Sequence, residues 1–383
     1  MSTKQTINPV DVIDAIDSQL KKVHTQSLDL SFNELLDMKR DGELDISPDY
    51  QRLFRWTEGA RSRFIESLLL EMPVPPIYVI EENDGKYLLI DGLQRISSYL
   101  HFRGELYAPH LDTPVKGGDK LILSDCDIVK ELNGLTFEDL SLALQIKLKR
   151  AFVRVEVVRK GSDPRFKYHM FKRLNTGGEL LTNQQLRNCT IRLLDPQFND
   201  FIIELSQTPN FKKCTEILSS DQRLAAFDQE LVLRYFALKN NREGFKHDVA
   251  DFLTEYMEEV SDPENERSFD YVNEKENFNK TFTVLALTME DKAFGYANKR
   301  ADNITKGFGV YHFEAFTIGL QAILSHIDIS NSKQISSLKA AITDIKLDRE
   351  FIGITTGGGK NSKGPLTERI SFVETKLLRS HGS

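Results

Sequence analysis

Residues 76–90, PIYVIEENDGKYLLI, hold two β-rich runs on either side of Asn83-Asp84-Gly85, a turn chemistry suited to a hairpin. The second run passes directly into DGLQRISSYLHF, where alternation gives way to the helical spacing of Ile96, Tyr99 and Leu100. A hairpin that feeds a helix without an intervening loop needs a sheet for that helix to pack on, which points to an α/β arrangement. Asp91-Gly92-Leu93-Gln94-Arg95 occupies the strand-to-helix junction.

The flanking sequence extends this pattern. Asn8-Pro9 opens a helix with an apolar stripe of Val10, Ile13, Ile16, Leu20 and Val23. Ser27 to Leu30 is a short strand, Ser31 and Glu34 have capping-box spacing, and Gly42 closes the helix between them. A helix follows Thr57 and stops at Pro73, Pro75 and Pro76. Residues 106–134 are expected as loop with short strands, Thr136 as the cap of a helix to about Lys149, and AFVRVEVVR as a buried strand through its Val and Phe positions. Asp163-Pro164 starts a helix that ends at Asn175-Thr176-Gly177-Gly178, and Thr182 with Gln185 forms another capping box. Beyond Asp195 the β signal nearly vanishes. Segments 198–206, 221–239, 246–260, 268–290, 312–327, 331–345 and 366–379 all carry helical apolar spacing. The expectation is an α/β domain over residues 1–195 and an all-α domain over 196–383.

Composition narrows the class. The chain has 383 residues, a net charge of −7, 40% hydrophobic and 28% charged residues, which excludes disordered and low-complexity classes and a protein that coats nucleic acid by bulk charge. Cys126, Cys189 and Cys214 lack CxxC spacing, so a zinc ribbon or disulfide framework is not expected. Asp11, Asp14 and Asp17 interrupt any N-terminal apolar run, and no membrane-spanning stretch is visible, so the expected location is the cytoplasm. Charge is uneven. Residues 147–173 carry ten basic side chains against Glu156 and Asp163, a local net of +8, whereas residues 248–276 carry a local net of −9. The basic stretch is either a DNA-phosphate contact or a set of solvated faces.

The junction has a chemical logic. The first turn of a helix presents unpaired N–H groups and the positive end of its dipole to an anion. Gly92 lets a phosphate approach the backbone, and Arg95 can fork onto phosphate oxygens. Asp91 can hold a divalent metal or orient a water. Alternatively Asp91 is only a cap and Arg95 a surface ion-pair partner. Upstream, Tyr50-Gln51-Arg52-Leu53-Phe54-Arg55-Trp56 places two arginines and three aromatics within seven residues, for stacking and phosphate contact or for packing.

IDGLQRISSYL, with SPDYQRLFRWTEGARSRFIESLLLEMPVPPIYVIEE before it and FKRLNTGGELLTNQQLRN after it, closely resembles the N-terminal domain family of GmrSD-type restriction systems. That family usually carries Asp-Gly-Gln-Gln-Arg at the junction; here Leu93 replaces the first Gln. The resemblance covers about residues 25–190. It implies a fold similar to ParB and sulfiredoxin, and nucleotide hydrolysis that licenses cleavage of modified phage DNA. It carries a nucleotide site onto Asp91, Gly92, Gln94 and Arg95, with Gln51 and Arg52 beside it and Asn175, Thr176 and Gly178 as the pocket wall. The last three can equally be a helix C-cap. Asp91, Arg95 and Arg52 are the catalytic candidates, with Asp91 the metal ligand, a nucleoside triphosphate with Mg2+ the expected cofactor, and DNA and a separate nuclease subunit the expected partners. Members that cut DNA usually carry a C-terminal His-Asn-His domain. The eight histidines here form no such cluster, so that activity is not expected of this chain alone.

A second glycine-rich segment, Thr355 to Pro365, precedes the last helix. Lys360, Ser362 and Arg369 make it a candidate phosphate or DNA loop, although it lacks the phosphate-loop spacing and a preceding strand, and a plain linker accounts for it as well. Three functions compete: a metal-dependent nucleoside triphosphatase of an antiphage system, a nucleotide-gated binding module without turnover, and a metal-dependent DNA nickase using Asp91 with Glu156 or another carboxylate.

Overall fold

The computed structural model describes residues 24–46, 54, 56–82, 84–109, 111, 113–175, 182–246, 248–265 and 269–381, with Ile13, Ile16 and Asp17; for Pro164, Arg165, Phe171, Lys172, Asn175 and His381 the backbone alone is described. Most of the helix expected from Asn8-Pro9 lies outside them. The chain divides into two compact units, Met1–Leu181 and Thr182–Ser383.

The first unit is built on β1 (Thr25–Ser31), α1 (Phe32–Asp41), β2 (Leu44–Asp45), α2 (Glu58–Leu69), β3 (Ile77–Glu81), β4 (Tyr87–Asp91), α3 (Leu93–Phe102), α4 (Leu142–Arg150), β5 (Phe152–Val158) and α5 (Pro164–Asn175). The sheet order is β1-β5-β3-β4-β2. β1 and β5 are antiparallel, β5 and β3 parallel, β3 and β4 an antiparallel hairpin, and β2 parallel to β4. Helices α1 to α4 pack on one another, and α5 packs against β4. Ile77, Val79, Leu89, Ile90, Val153, Val155 and Val157 are buried, those of β3 and β5 at alternate positions along the strand.

Local chemistry sets the ends of these elements. The Ser31 hydroxyl accepts from the Glu34 N–H, and Gly42 closes α1 in the left-handed region at φ 77°. Thr57 caps α2 in the same way. Two expectations need correction. Thr136 does not cap a helix: its N–H and hydroxyl turn onto Asp139, and α4 starts at Leu142 under a Ser141 cap. In β5 only the valines face inward, while Phe152 is 67% exposed, because a period of two puts it on the Arg154 and Glu156 face. The 121–135 loop is tied down from α2, where the buried Glu66 carboxylate accepts from the N–H groups of Ile128 and Val129.

The second unit is helical: α6 (Asn183–Thr190), α7 (Pro196–Ser206), α8 (Pro209–Cys214), α9 (Ser220–Leu224), α10 (Phe227–Asn241), α11 (Val249–Ser261), α12 (Tyr271–Thr288), α13 (Val310–Gly319), α14 (Ser332–Leu347), α15 (Arg349–Thr355) and α16 (Lys363–His381). The Thr182 and Gln185 capping box forms in full. Phenylalanines from α7, α8, α10, α12 and α13 make a continuous aromatic core, with Phe236, Phe278, Phe282 and Phe313 fully buried. Among the described residues no helix is long and apolar enough to cross a membrane.

Candidate functional site

β4 delivers Asp91 to the edge of the core, and Gly92 turns the chain into α3. Gly92 has φ +109°, and a Cβ there would lie 2.7 Å from Ile77 Cγ1, so this position needs glycine on both conformational and steric grounds. No side chain caps α3. Its first turn places the positive end of the helix dipole at the end of β4. The Arg95 guanidinium donates to Asp91 Oδ2 at 2.9 Å and to the Pro75 carbonyl at 3.2 Å. Arg95 is 12% exposed and Asp91 36%, so the pair sits at the mouth of the turn, half in solvent.

Gln94 acts as a brace. Its Oε1 accepts from the Trp56 N–H at 3.1 Å, tying the upstream aromatic segment to α3. From the other side Arg61 donates to the Trp56 carbonyl at 2.7 Å, lies over the buried Phe54 ring and meets His101 Nδ1 at 3.0 Å. Trp56 packs edge-on against Phe64. The aromatics Phe54 and Trp56 are thus anchors of the segment, the packing alternative. Gln51, Arg52, Thr176 and Gly178 lie outside the described residues, and of Asn175 only the helical backbone, at the end of α5, is described.

Register decides the carboxylate question. Tyr78 of β3 pairs with Asp91 on one side and with Glu156 on the other, and Glu156 pairs with Ser27. The four residues form one row on one face, with Asp91 and Glu156 two strand spacings, about 10 Å, apart. Tyr78 stands between them, and Glu156 accepts from the Ser27 hydroxyl at 2.6 Å. Asp91 is engaged by Arg95 and Glu156 by Ser27, so the two carboxylates have separate partners here. Among the described residues no three His, Cys, Asp or Glu side chains gather as a metal site. Asp91 by itself offers one carboxylate. That suits Mg2+, which takes one or two carboxylates and completes its shell with water and phosphate oxygens.

The second candidate loop is built differently from expectation. Arg369 is 1% exposed, with Nε and Nη2 on Glu314 Oε2 and Nη1 on the Lys360 carbonyl. It is a core ion pair rather than a charge presented to phosphate, because α16 turns it inward toward α13. The Lys360 ammonium folds back onto the Gly353 carbonyl, and Ser362 is exposed, its carbonyl accepting from the Leu366 N–H in the first turn of α16. The basic stretch 147–173 is also partly neutralised: Lys147 pairs with Glu71, Arg154 with Asp29 and Arg159 with Glu81.

Sequence reasoning missed Arg61, His101, Tyr78 and the Pro75 carbonyl. Arg61 falls on the apolar stripe of α2, and a charged residue at a core position was the available signal. The row through Tyr78 depends on strand register, which no local pattern shows.

A mixed five-stranded sheet whose inner strand β4 ends on Asp-Gly-x-Gln-Arg, with a helix starting directly behind it, defines an α/β domain with a glycine-led strand-to-helix turn. Residues 32–192 match the family model described as GmrSD restriction endonuclease, N-terminal domain. The chain thereby carries a restriction-system domain. Neither the curated proteins nor the solved structures contain a significant match.

Proposed function

We propose that the Asp91–Arg95 turn binds the phosphates of a nucleoside triphosphate with Mg2+ and hydrolyses it, as a component of a restriction or antiphage system acting with DNA or a nuclease partner. The observation that carries this reading is the glycine-led, uncapped start of α3 with Arg95 poised over it. Phosphate oxygens accept from the first-turn N–H groups. Arg95 exchanges its Asp91 partner for a phosphate, so the guanidinium keeps an anionic partner throughout. Released from Arg95, Asp91 holds Mg2+ or orients the attacking water; the metal supplies charge neutralisation on the phosphates. Gln94 and Arg61 keep the Trp56 segment against the motif helix.

Thermal denaturation with each nucleoside triphosphate, with and without Mg2+, tests the site. The wild-type chain is expected to gain about 2.7 kcal/mol at a nucleotide concentration 100-fold above Kd. Arg95→Ala is expected to lose that gain, and Asp91→Ala to keep the fold and lose phosphate release. No stabilisation of wild type by any triphosphate defeats the reading. The Asp91–Arg95 pair also favours a second reading, a nucleotide-gated switch without turnover, since swapping an internal partner for phosphate is itself a two-state element. Stabilisation of wild type with no phosphate release selects it.

A further inference from the structure

The helical unit contains a cleft of about 610 Å³ whose wall includes Arg234, Tyr296, Tyr311, His312, Gly357 and Asn361. That volume lies within the roughly 300–1,000 Å³ of small-molecule sites. Arg234, from α10, is 8% exposed. Its Nη1 donates to Glu314 at 2.6 Å and its Nη2 to Glu230 at 3.2 Å, while its Nε is buried without an acceptor. A buried guanidinium nitrogen with no partner on the wall of a cleft is an acceptor short of completion.

The cleft wall backs onto a buried cluster of paired charges. Arg187, Arg234 and Arg369 share the two carboxylates of Glu230 and Glu314. Behind His312 lies Lys346, 0% exposed, whose ammonium meets the Gly295 carbonyl at 2.8 Å, His312 Nδ1 at 3.4 Å and the Phe316 ring at 4.4 Å, all uncharged. Burial lowers Lys346 to about 7, and burial with the neighbouring Lys346 holds His312 well below its usual range. Tyr296 and Tyr311 add rings for a planar group, the far side of Tyr311 being covered by the Arg369 guanidinium at 4.5 Å. Gly357, at φ +97° with no atom within 4 Å of its Cβ direction, leaves open backbone in the rim, and Asn361 adds an amide. The glycine-rich segment thus contributes main chain and Asn361 to the cleft, while Lys360 and Arg369 are turned inward.

We infer that this cleft binds a small organic anion bearing a planar ring, of nucleoside-monophosphate class, at a site separate from the Asp91–Arg95 turn. The test is calorimetric titration of the full chain with the four nucleoside 5′-monophosphates, the matching nucleosides and inorganic phosphate. It is run on wild type, Tyr296→Leu, Asn361→Ala and Arg95→Ala, with circular dichroism confirming each fold. Expected are one saturable site for at least one monophosphate, at least tenfold tighter than its nucleoside or phosphate alone, a fivefold or greater weakening in Tyr296→Leu and Asn361→Ala, and retention of that site in Arg95→Ala. Absence of monophosphate binding overturns the inference, as does phosphate binding as tightly as the monophosphate. So does a site lost in Arg95→Ala but intact in both cleft variants, which would assign the ligand to the first unit. Failure of triphosphate binding at Arg95 leaves these outcomes unaltered, so the two sites are judged separately.

Discussion

At the scale of single residues, Gly92 and Trp56 offer the most direct tests. Gly92→Ala places a Cβ against Ile77 and holds alanine at φ +109°, so a loss of about 1–3 kcal/mol in urea unfolding is expected, with weaker nucleotide stabilisation. Equal stability of the variant would show that the turn relaxes without strain. Trp56 is the only tryptophan and its N–H is held by Gln94, so its emission reports on the motif helix. Gln94→Ala is expected to shift Trp56 emission toward a more solvated state even without nucleotide; unchanged emission would show that Arg61 alone holds the segment. The Asp-Gly-x-Gln-Arg residues were legible as a group because spacing and residue type are local. The division of labour within it was not: Gln94 braces a segment 38 residues upstream, and that pairing exists only in three dimensions.

At the scale of elements, α2 and α3 meet through the Arg61 and His101 pair. Burial, reinforced by the neighbouring Arg61 charge, lowers His101 to about 4, so folded His101 stays neutral where the unfolded chain, near 6.5, binds a proton. Protonation would set two donors against each other at Nδ1. Because the unfolded state binds more protons between about pH 6.5 and 4, stability falls as pH falls through that window, by up to about 3 kcal/mol for this residue. Denaturant midpoints measured from pH 7 to 4.5 should show the decline, and His101→Asn should flatten part of it; parallel curves would place the acid sensitivity elsewhere. Most strands and helices of this unit were readable from period and caps, as at Ser31, Thr57 and Thr182. Thr136 failed because Asp139 offered its hydroxyl and N–H a closer turn than a helix start.

At the scale of the whole molecule, each unit has its own core and its own buried thiol. Burial pushes Cys126 up to about 11 and Cys214 up to about 12, so neither is nucleophilic in the folded chain. In the helical unit Glu314 is the common partner of Arg234 and Arg369, and Glu314→Gln leaves two guanidiniums short of a counter-charge, at a cost of about 3–5 kcal/mol. Alkylation under rising denaturant should then expose Cys214 at lower concentration than in wild type, with Cys126 keeping its wild-type midpoint; coincident exposure of both would refute separate cores. The sequence by itself determined the element types, the change from α/β to helical, and the chemistry gathered at Asp91–Arg95, since periodicity, capping and turn residues act over a few positions. Only the tertiary structure decided that Asp91 and Glu156 stand two strands apart, that Arg369 is a core ion pair, and that a cleft walled by Arg234, Tyr296 and Tyr311 lies among α10, α13 and the glycine-rich loop. Sheet register and helix packing bring together residues far apart in the chain, and no local pattern encodes which charges those contacts will bury or leave open.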